Sequence, residues 1–523
     1  MTDVLLGQSY FLRFDPKLWE AMQPYPPLGT LYAAAYLRRC GYEIGLFDAM
    51  LAESEQEWAT AVDRHRPRYA VLFEDNFNYL SKMCLLRMRE AAFTMARMAK
   101  ERACTVVVCG SDATDHAGAY LGAGADYVIV GEGEVTLGEL LDVLSGRRDT
   151  PVDNVPGLAF STASHGKAVA PPAAESPVTV TRPRPVIAEL DALPFPAWDL
   201  VDVPRYRSVW LGRHGYYSMN MATTRGCPYH CNWCAKPIWG QRYHARSPGN
   251  VAEEIAWLKR TYRPDHIAFA DDIFGLKPGW VEQFATEVEA RDARLPFKSL
   301  HRVDLLLREG TIDALARAGA KTVWVGAESG SQKILDAMDK GTKVEQIYRA
   351  SRRLHDAGVE VCFFLQFGYP GETREDIEKT LQMVRDCRPD DIGMSVSYPL
   401  PGTRFFDSVK AELGRQQNWQ DSSDLAMLYR GPFTTAFYRQ LHTVLHKEFR
   451  ARRSARQLAA QLRRPGGFRP RHLRQAAAAF FHAATLPVAR MCLDRLARRT
   501  PEGIGPLPHM APEAAARPSA QEE

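Results

Sequence analysis

The sequence lacks long apolar runs. No stretch approaches the ~18 residues that span a bilayer, and Met1-Thr2-Asp3-Val4-Leu5 has no basic region followed by an apolar segment, as a secretory leader would. A cytoplasmic chain that neither crosses a membrane nor is exported is therefore expected. A disulfide framework is missing too. Seven of the ten cysteines (Cys40, Cys84, Cys104, Cys109, Cys362, Cys387 and Cys492) are scattered, mostly in apolar runs, and are expected to be reduced core thiols. Net charge is small, +4, but uneven. Lys447 to Arg499 holds fourteen basic residues against two acids, a net +12, which leaves −8 on the rest. No aromatic interleaving or nucleic-acid motif accompanies that block, so no nucleic-acid partner is expected. A solvated helical appendage is the plainer reading, and contact with an anionic surface is the alternative.

What is present fits a large globular enzyme. A length of 523 residues predicts about three domains, and 46% hydrophobic with 24% charged residues is an ordinary balance. The remaining cysteines stand together in Thr224-Arg225-Gly226-Cys227-Pro228-Tyr229-His230-Cys231-Asn232-Trp233-Cys234, directly after the strand-like run Tyr217 to Thr223. Cys-x3-Cys-x2-Cys within eight residues lets three thiolates converge, one short of a closed four-cysteine site, so an iron left without a protein ligand is open to another molecule. The alternatives are a zinc knuckle completed by His230, or three free thiols.

This motif, including the aromatic Trp233 before its last cysteine, resembles that of the radical S-adenosylmethionine (SAM) superfamily. The resemblance implies a [4Fe-4S] cluster on Cys227, Cys231 and Cys234, with the open iron offered to SAM beside Trp233. It also implies an external electron donor such as flavodoxin or ferredoxin, whose electron cleaves SAM to a 5'-deoxyadenosyl radical.

Ahead of the motif, short apolar runs (Val4 to Leu6, Ala70 to Phe73, Thr105 to Cys109, Tyr127 to Val130) alternate with helical patterns (Leu31 to Arg39, Ser54 to His65, Lys82 to Glu101, Thr136 to Leu144). That alternation predicts an open, Rossmann-like parallel sheet over residues 1–144, whose ligands bind at the strand carboxyl ends. The loops there are Tyr25-Pro26-Pro27-Leu28-Gly29, Asp48-Ala49, Gly110-Ser111-Asp112 and Gly131-Glu132-Gly133-Glu134. In this order they resemble the cobalamin-binding domain of cobalamin-dependent radical SAM enzymes, which implies cobalamin at Gly110, Ser111, Gly131, Glu132 and Gly133. The loop after Asp48 lacks the histidine that ligates cobalt from below in many such domains; His116 lies in another loop. An unligated or water-ligated lower face is therefore expected.

Residues 145–216, rich in Pro, Ser and Ala over part of their length, are expected to form a linker, although Val155 to Phe160 reads as a strand. Over 217–405, six strand patterns alternate with six helical ones, which predicts a partial (β/α)6, TIM-like barrel with its chemistry at the strand carboxyl ends. Asp271-Asp272, His301-Arg302, Glu328-Ser329-Gly330, Gln366-Phe367 and Tyr398 fall there. SAM offers an amine, a diol and a sulfonium, for which carboxylates and neutral acceptors are suitable partners. Glu328 and Ser329 resemble a SAM-contacting segment of the family, and Gln366 joins them as a cofactor-binding candidate. His301, Tyr216, Tyr217 and Tyr398 are candidates to face substrate; no residue is assigned as catalytic. A helical region is expected over 406–500, starting near Asp424, and a disordered tail over 501–523.

The resemblance implies a methyltransferase acting on an unactivated carbon, or on phosphorus, of a small molecule. One SAM would give up its methyl group, and a second would supply the radical that abstracts hydrogen. The alternatives are an oxidative cyclase or ring-rearranging enzyme of anaerobic tetrapyrrole synthesis, and a non-catalytic corrinoid- or nucleic-acid-binding protein.

Overall fold

The computed structural model describes residues 2–161, 178–236, 238–414, 416–462 and 470–499. The first domain is a seven-stranded sheet of β1 (Val4–Gly7), β2 (Ile44–Phe47), β3 (Tyr69–Phe73), β4 (Thr105–Cys109), β5 (Tyr127–Ile129), β6 (Leu158–Ser161) and β7 (Val178–Val180). Their order is β2-β1-β3-β4-β5-β6-β7. The first five are parallel and the last two antiparallel.

Alternation along the strands sends side chains to two separate cores. Leu5, Leu72, Val106 and Val108 meet Trp58 and Met95, from helices Gln56–His65 and Leu86–Lys100. Val4, Leu6, Val71 and Val107 meet Leu37 and Leu137, from helices Leu28–Arg39 and Glu134–Leu144. Runs of β-branched residues without polar alternation are what a sheet covered on both faces requires. The strand order reverses between β1 and β3, which makes that point the crevice of the sheet.

Two expectations about boundaries need correction. The sheet does not end at Leu144, because the linker returns to add β6, within the stretch that reads as a strand, and β7 at its edge; pairing with a distant strand leaves no local signal. The linker also forms a helix, Val203–His214, whose Tyr206 and Trp210 are buried in the core shared by both domains.

The second domain is a six-stranded, all-parallel open barrel. Its strands are β8 (Ser218–Met221), β11 (His266–Phe269), β12 (Phe297–His301), β13 (Ala320–Glu328), β14 (Glu360–Phe367) and β15 (Asp391–Val396). They lie in the order β15-β14-β13-β12-β11-β8. A small antiparallel ladder of β9 (Thr224–Arg225) and β10 (His244–Ala245) closes the base of the cysteine loop.

The C-terminal region is helical only from Thr435. Helices Thr435–Leu462 and Pro470–Ala497 form an antiparallel pair, whereas residues 424–434 are irregular. Gly431 followed by Pro432 breaks the expected earlier helix. Residues 418–429 clasp the molecule. Asn418 donates to the Cys84 carbonyl, the Ser422 hydroxyl donates to Asp15 Oδ1 at 2.5 Å, and the Leu86 amide donates to the Trp419 carbonyl at 2.8 Å. Tyr429 donates to the Gly368 carbonyl. Against the expectation of no long apolar stretch, Ala476–Ala497 is long and apolar enough, by length and composition, to cross a membrane. The expected tail, 501–523, lies outside the described residues.

Candidate active site

The cysteine loop leaves the end of β8 and is fixed at several points. Asp271, fully buried beyond β11, accepts the Thr223 amide at 2.6 Å, the Thr223 hydroxyl at 2.8 Å and the Thr224 amide at 2.8 Å. Gly226 has φ +80°, and a Cβ there would stand 2.3 Å from the Arg242 carbonyl oxygen, so the turn into the first cysteine requires glycine. Asn232 ties the loop to the far strands. Its side-chain amide donates to the Ala337 carbonyl at 2.7 Å, its carbonyl oxygen accepts from Tyr369 at 2.9 Å, and its backbone bonds to Met338 and Phe405. Sequence reasoning missed Asn232, since nothing local marks an asparagine between two cysteines as a long-range anchor.

Cys227 is buried, Cys231 and Cys234 are half-buried, and all are free thiols within electrostatic reach of one another. Burial pushes the Cys234 thiol up to about 12; Lys236 opposes the shift, and Asp272 and the other two sulfurs add to it. His230 is exposed. Among the described residues no three His, Cys, Asp or Glu side chains gather closely enough for one metal ion. Three thiols with no histidine turned toward them are a donor set that suits a polynuclear iron–sulfur group better than a zinc knuckle. The indole N–H of Trp233 is buried without a partner.

The first domain closes over this loop. The Arg225 guanidinium lies between Glu132, with which it is ion-paired, and Glu134, 2.7 Å from its Oε1. All three side chains are about 95% buried, and the Tyr32 and Phe77 rings lie 5.5 and 5.6 Å from the guanidinium carbon. Burial raises the Glu132 carboxyl, with Arg225 opposing. The carboxylate of Glu132, a residue expected at cobalamin, is thus bound to the cysteine loop. Gly133 packs helix Glu134–Leu144 on the sheet, since a Cβ there would lie 2.4 Å from Cys109 Sγ and 2.6 Å from the Phe73 ring. The Ser111 hydroxyl donates to the Lys82 carbonyl at 3.0 Å, Gly110 lies against the Glu74 side chain, and the Gly131 amide donates to Thr114 at 3.1 Å.

Beyond β3, Lys82 Nζ reaches Asp272 at 2.6 Å and lies close enough to Cys227 and Cys234 to feel their charge. Tyr79 is 57% exposed, yet it lies within electrostatic reach of Cys234 and Glu328, so it stands in the open space between the domains. In the loops after β1 and β3, Tyr10 OH, Asn76 Oδ1 and Ser81 Oγ are buried without partners. Buried polar atoms are normally satisfied, so these atoms at the crevice of the sheet fit a polar cofactor seated there. Asp48 accepts from Tyr206 at 2.6 Å, and His116 Nε2 sits 3.7 Å from Asp112 Oδ1.

At the end of β13, Glu328 has φ +57°, an outlier for a residue with a side chain, beside a register shift at Gly326. Its carboxylate pairs with buried Lys340 at 2.7 Å, a partner twelve residues away that the sequence did not indicate. Ser329 is fully buried; its hydroxyl pairs with Thr380 at 3.1 Å and accepts the Ser331 amide at 3.1 Å, which joins β13 to helix Arg374–Cys387. Gln366 donates to Ser397 at 3.1 Å. Of the residues expected to face substrate, Tyr216 and Tyr217 precede β8 at its amino end, the wrong end for the site. Tyr398 donates to Asn418 inside the clasp, and His301 is paired with Ser299 at 2.9 Å and held neutral, its pKa depressed to about 3 by burial.

Residues 221–384 match the model of the radical SAM superfamily, and the span holds the cysteine loop and the strand ends around it. Over that span the chain is similar to the radical SAM superfamily. An uncharacterised methyltransferase of Pyrococcus horikoshii is 29% identical over 56% of this chain and 60% of its own. An anaerobic magnesium-protoporphyrin IX monomethyl ester cyclase of Rubrivivax gelatinosus is 27% identical over 74% of this chain and 66% of its own. The chain thus spans about two thirds or less of these relatives' length. Its fold is that of the cobalamin-dependent radical SAM enzyme OxsB, solved with aqua-cobalamin and SAM bound. The two superpose with a TM-score of 0.66 over 94% of this chain and 72% of that one, at 14% identity. The open sheet and the open barrel therefore occur together in a solved fold.

Proposed function

We infer that this protein is a cobalamin-dependent radical SAM methyltransferase acting on an unactivated carbon, or on phosphorus, of a small molecule. The observation that carries this reading is the face-to-face placement of the first domain's crevice and the cysteine loop, locked by Arg225 to Glu132 and Glu134 and by Lys82 to Asp272. Bound in these sites, a [4Fe-4S] cluster, SAM and cobalamin would supply a hydrogen-abstracting radical and a transferable methyl group. Cys227, Cys231 and Cys234 would hold the cluster, with the Lys82 ammonium offsetting their charge. Glu328, fixed by Lys340, would accept the cationic amine of SAM. Tyr79 would stand between the two cofactor sites, and the buried rings of Tyr32 and Phe77 keep water from the contact of Arg225 with Glu132 and Glu134. A one-electron donor is required from outside the chain.

Labelled methyl-SAM given to the anaerobically reconstituted enzyme with pathway extract tests the reading. Label in the product, with S-adenosylhomocysteine and 5'-deoxyadenosine released in about equal amounts, is expected. The similarity to the magnesium-protoporphyrin cyclase favours oxidative cyclisation as the second reading. That reading predicts 5'-deoxyadenosine without matching S-adenosylhomocysteine, and an unlabelled product.

A further inference from the structure

The last two helices set an uncharged, aromatic-bearing face beside a cluster of arginines. We propose that this face docks on a bilayer surface rich in anionic lipid.

Helix Pro470–Ala497 is seated on helix Thr435–Leu462 along one side only. Gln440 donates to the Ala489 carbonyl at 2.8 Å, Lys447 to Thr485 at 2.8 Å, and Arg490 to Glu448 at 2.6 Å. Ala489 and Leu493 are buried on that side. The other side is bare. Phe480 is 75% exposed and Met491 71%, and Phe481 and Val488 are exposed with them. Between Ala476 and Ala489 the sequence has no Asp, Glu, Lys or Arg. An apolar face of this extent is unusual on a water-exposed helix and marks a contact surface.

Basic residues lie at the same level. The Lys447 ammonium is 5.3 Å from the Phe481 ring, and Arg450 is near enough to His482 to help lower its pKa, after burial. Arg450, Arg452 and Arg453 are exposed on the neighbouring helix. Anionic headgroups would meet the arginines while the Phe, Val and Met side chains enter the headgroup–acyl boundary, the pattern of an interfacial helix. The helix is tied down by Glu448 and by the Arg374–Asp494 pair at 3.2 Å, so it lies on the surface and does not cross. A second copy would cover the apolar face but supply no anion for the arginines beside it. A nucleic acid would meet the charge but leave the apolar face in water.

The test is flotation of the full-length protein with phosphatidylcholine vesicles, with and without about 30 mol% phosphatidylglycerol. Recovery about tenfold higher on the anionic vesicles is expected, falling several-fold when salt is raised from about 0.1 to 0.5 M. Phe480→Ser/Phe481→Ser and Arg450→Gln/Arg453→Gln should each lower recovery about fivefold at unchanged melting temperature, because the replaced side chains are exposed, whereas Arg452 is left in place because it pairs with Glu448 at 3.0 Å. Equal recovery on both vesicle types, or recovery unaltered in both variants, overturns the proposal. So does a dimer in light scattering that Phe480→Ser/Phe481→Ser abolishes without vesicle binding, or retention on an oligonucleotide in place of vesicles.

Discussion

The Arg225 guanidinium lies 2.7 Å from the Glu134 carboxylate, and this contact joins the chain's first sheet to the turn that carries its first cysteine. Neither residue has an alternative partner in water, since both are about 96% buried. Removing one partner of a buried ionic group leaves the others uncompensated, at a cost of about 3–5 kcal/mol. Arg225→Ala should therefore lower the denaturation midpoint strongly. The triple change with Glu132→Gln and Glu134→Gln should recover a large part of the loss. A triple variant no more stable than Arg225→Ala alone, in urea titrations, would show that the ion pairs are not what the arginine contributes.

Iron binding provides the second test. Cys227→Ala/Cys231→Ala/Cys234→Ala should retain only background iron after anaerobic reconstitution, because the other seven cysteines are separate from this loop. Iron analysis and the visible spectrum read the result directly.

Cobalt ligation provides the third. With Asp48 occupied by Tyr206 and His116 beside Asp112, the Co(II) electron paramagnetic resonance spectrum of the loaded protein should show no nitrogen splitting from a protein histidine. His116→Ala should leave it unchanged; splitting that disappears in that variant would identify His116 as the lower ligand.

Acidity and stability are linked at Glu372. Burial raises its carboxyl to about 8, against an opposing hydrogen bond from the Gly368 amide at 2.7 Å. A carboxyl raised in the folded state is favoured there as the neutral acid. Its stabilising share is complete below the unfolded value near 4.5 and is lost as pH rises through about 8. Between pH 5 and 8 the melting temperature of Glu372→Gln should fall less than that of the parent protein. Parallel curves would exclude this group as the source.

The order of strands and helices in both domains was legible in the sequence because buried parallel strands are continuous apolar runs and their helices are amphipathic. The cysteine triad was legible because its spacing is local. What could not be read depends on pairing at long range. Glu132 stands in a glycine-rich loop that suggests a ligand, but its carboxylate is taken by an arginine 93 residues later. Ser329 and Gly133 also occupy loops that suggest a cofactor, yet one hydrogen-bonds to Thr380 and the other makes room for Cys109 and Phe73. Strand β7 is three residues long, too short for a periodic signal, and β6, legible as a strand, carries no local sign of the sheet it joins. The helix expected from Asp424 failed because its apolar spacing continues across a Gly-Pro step that no helix tolerates.

The clasp near Asn418 also bears on when the protein can close. Its partners precede it by 334 residues at Cys84 and 407 at Asp15. A ribosome adding roughly 5–20 residues per second needs about 15–70 s to cover the shorter of these distances. In the later part of that interval the first sheet and the cysteine loop have been made, but the segment that ties them to the C-terminal helices has not. Each newly made molecule therefore passes through a stage in which residues 418–429 do not yet hold its domains together.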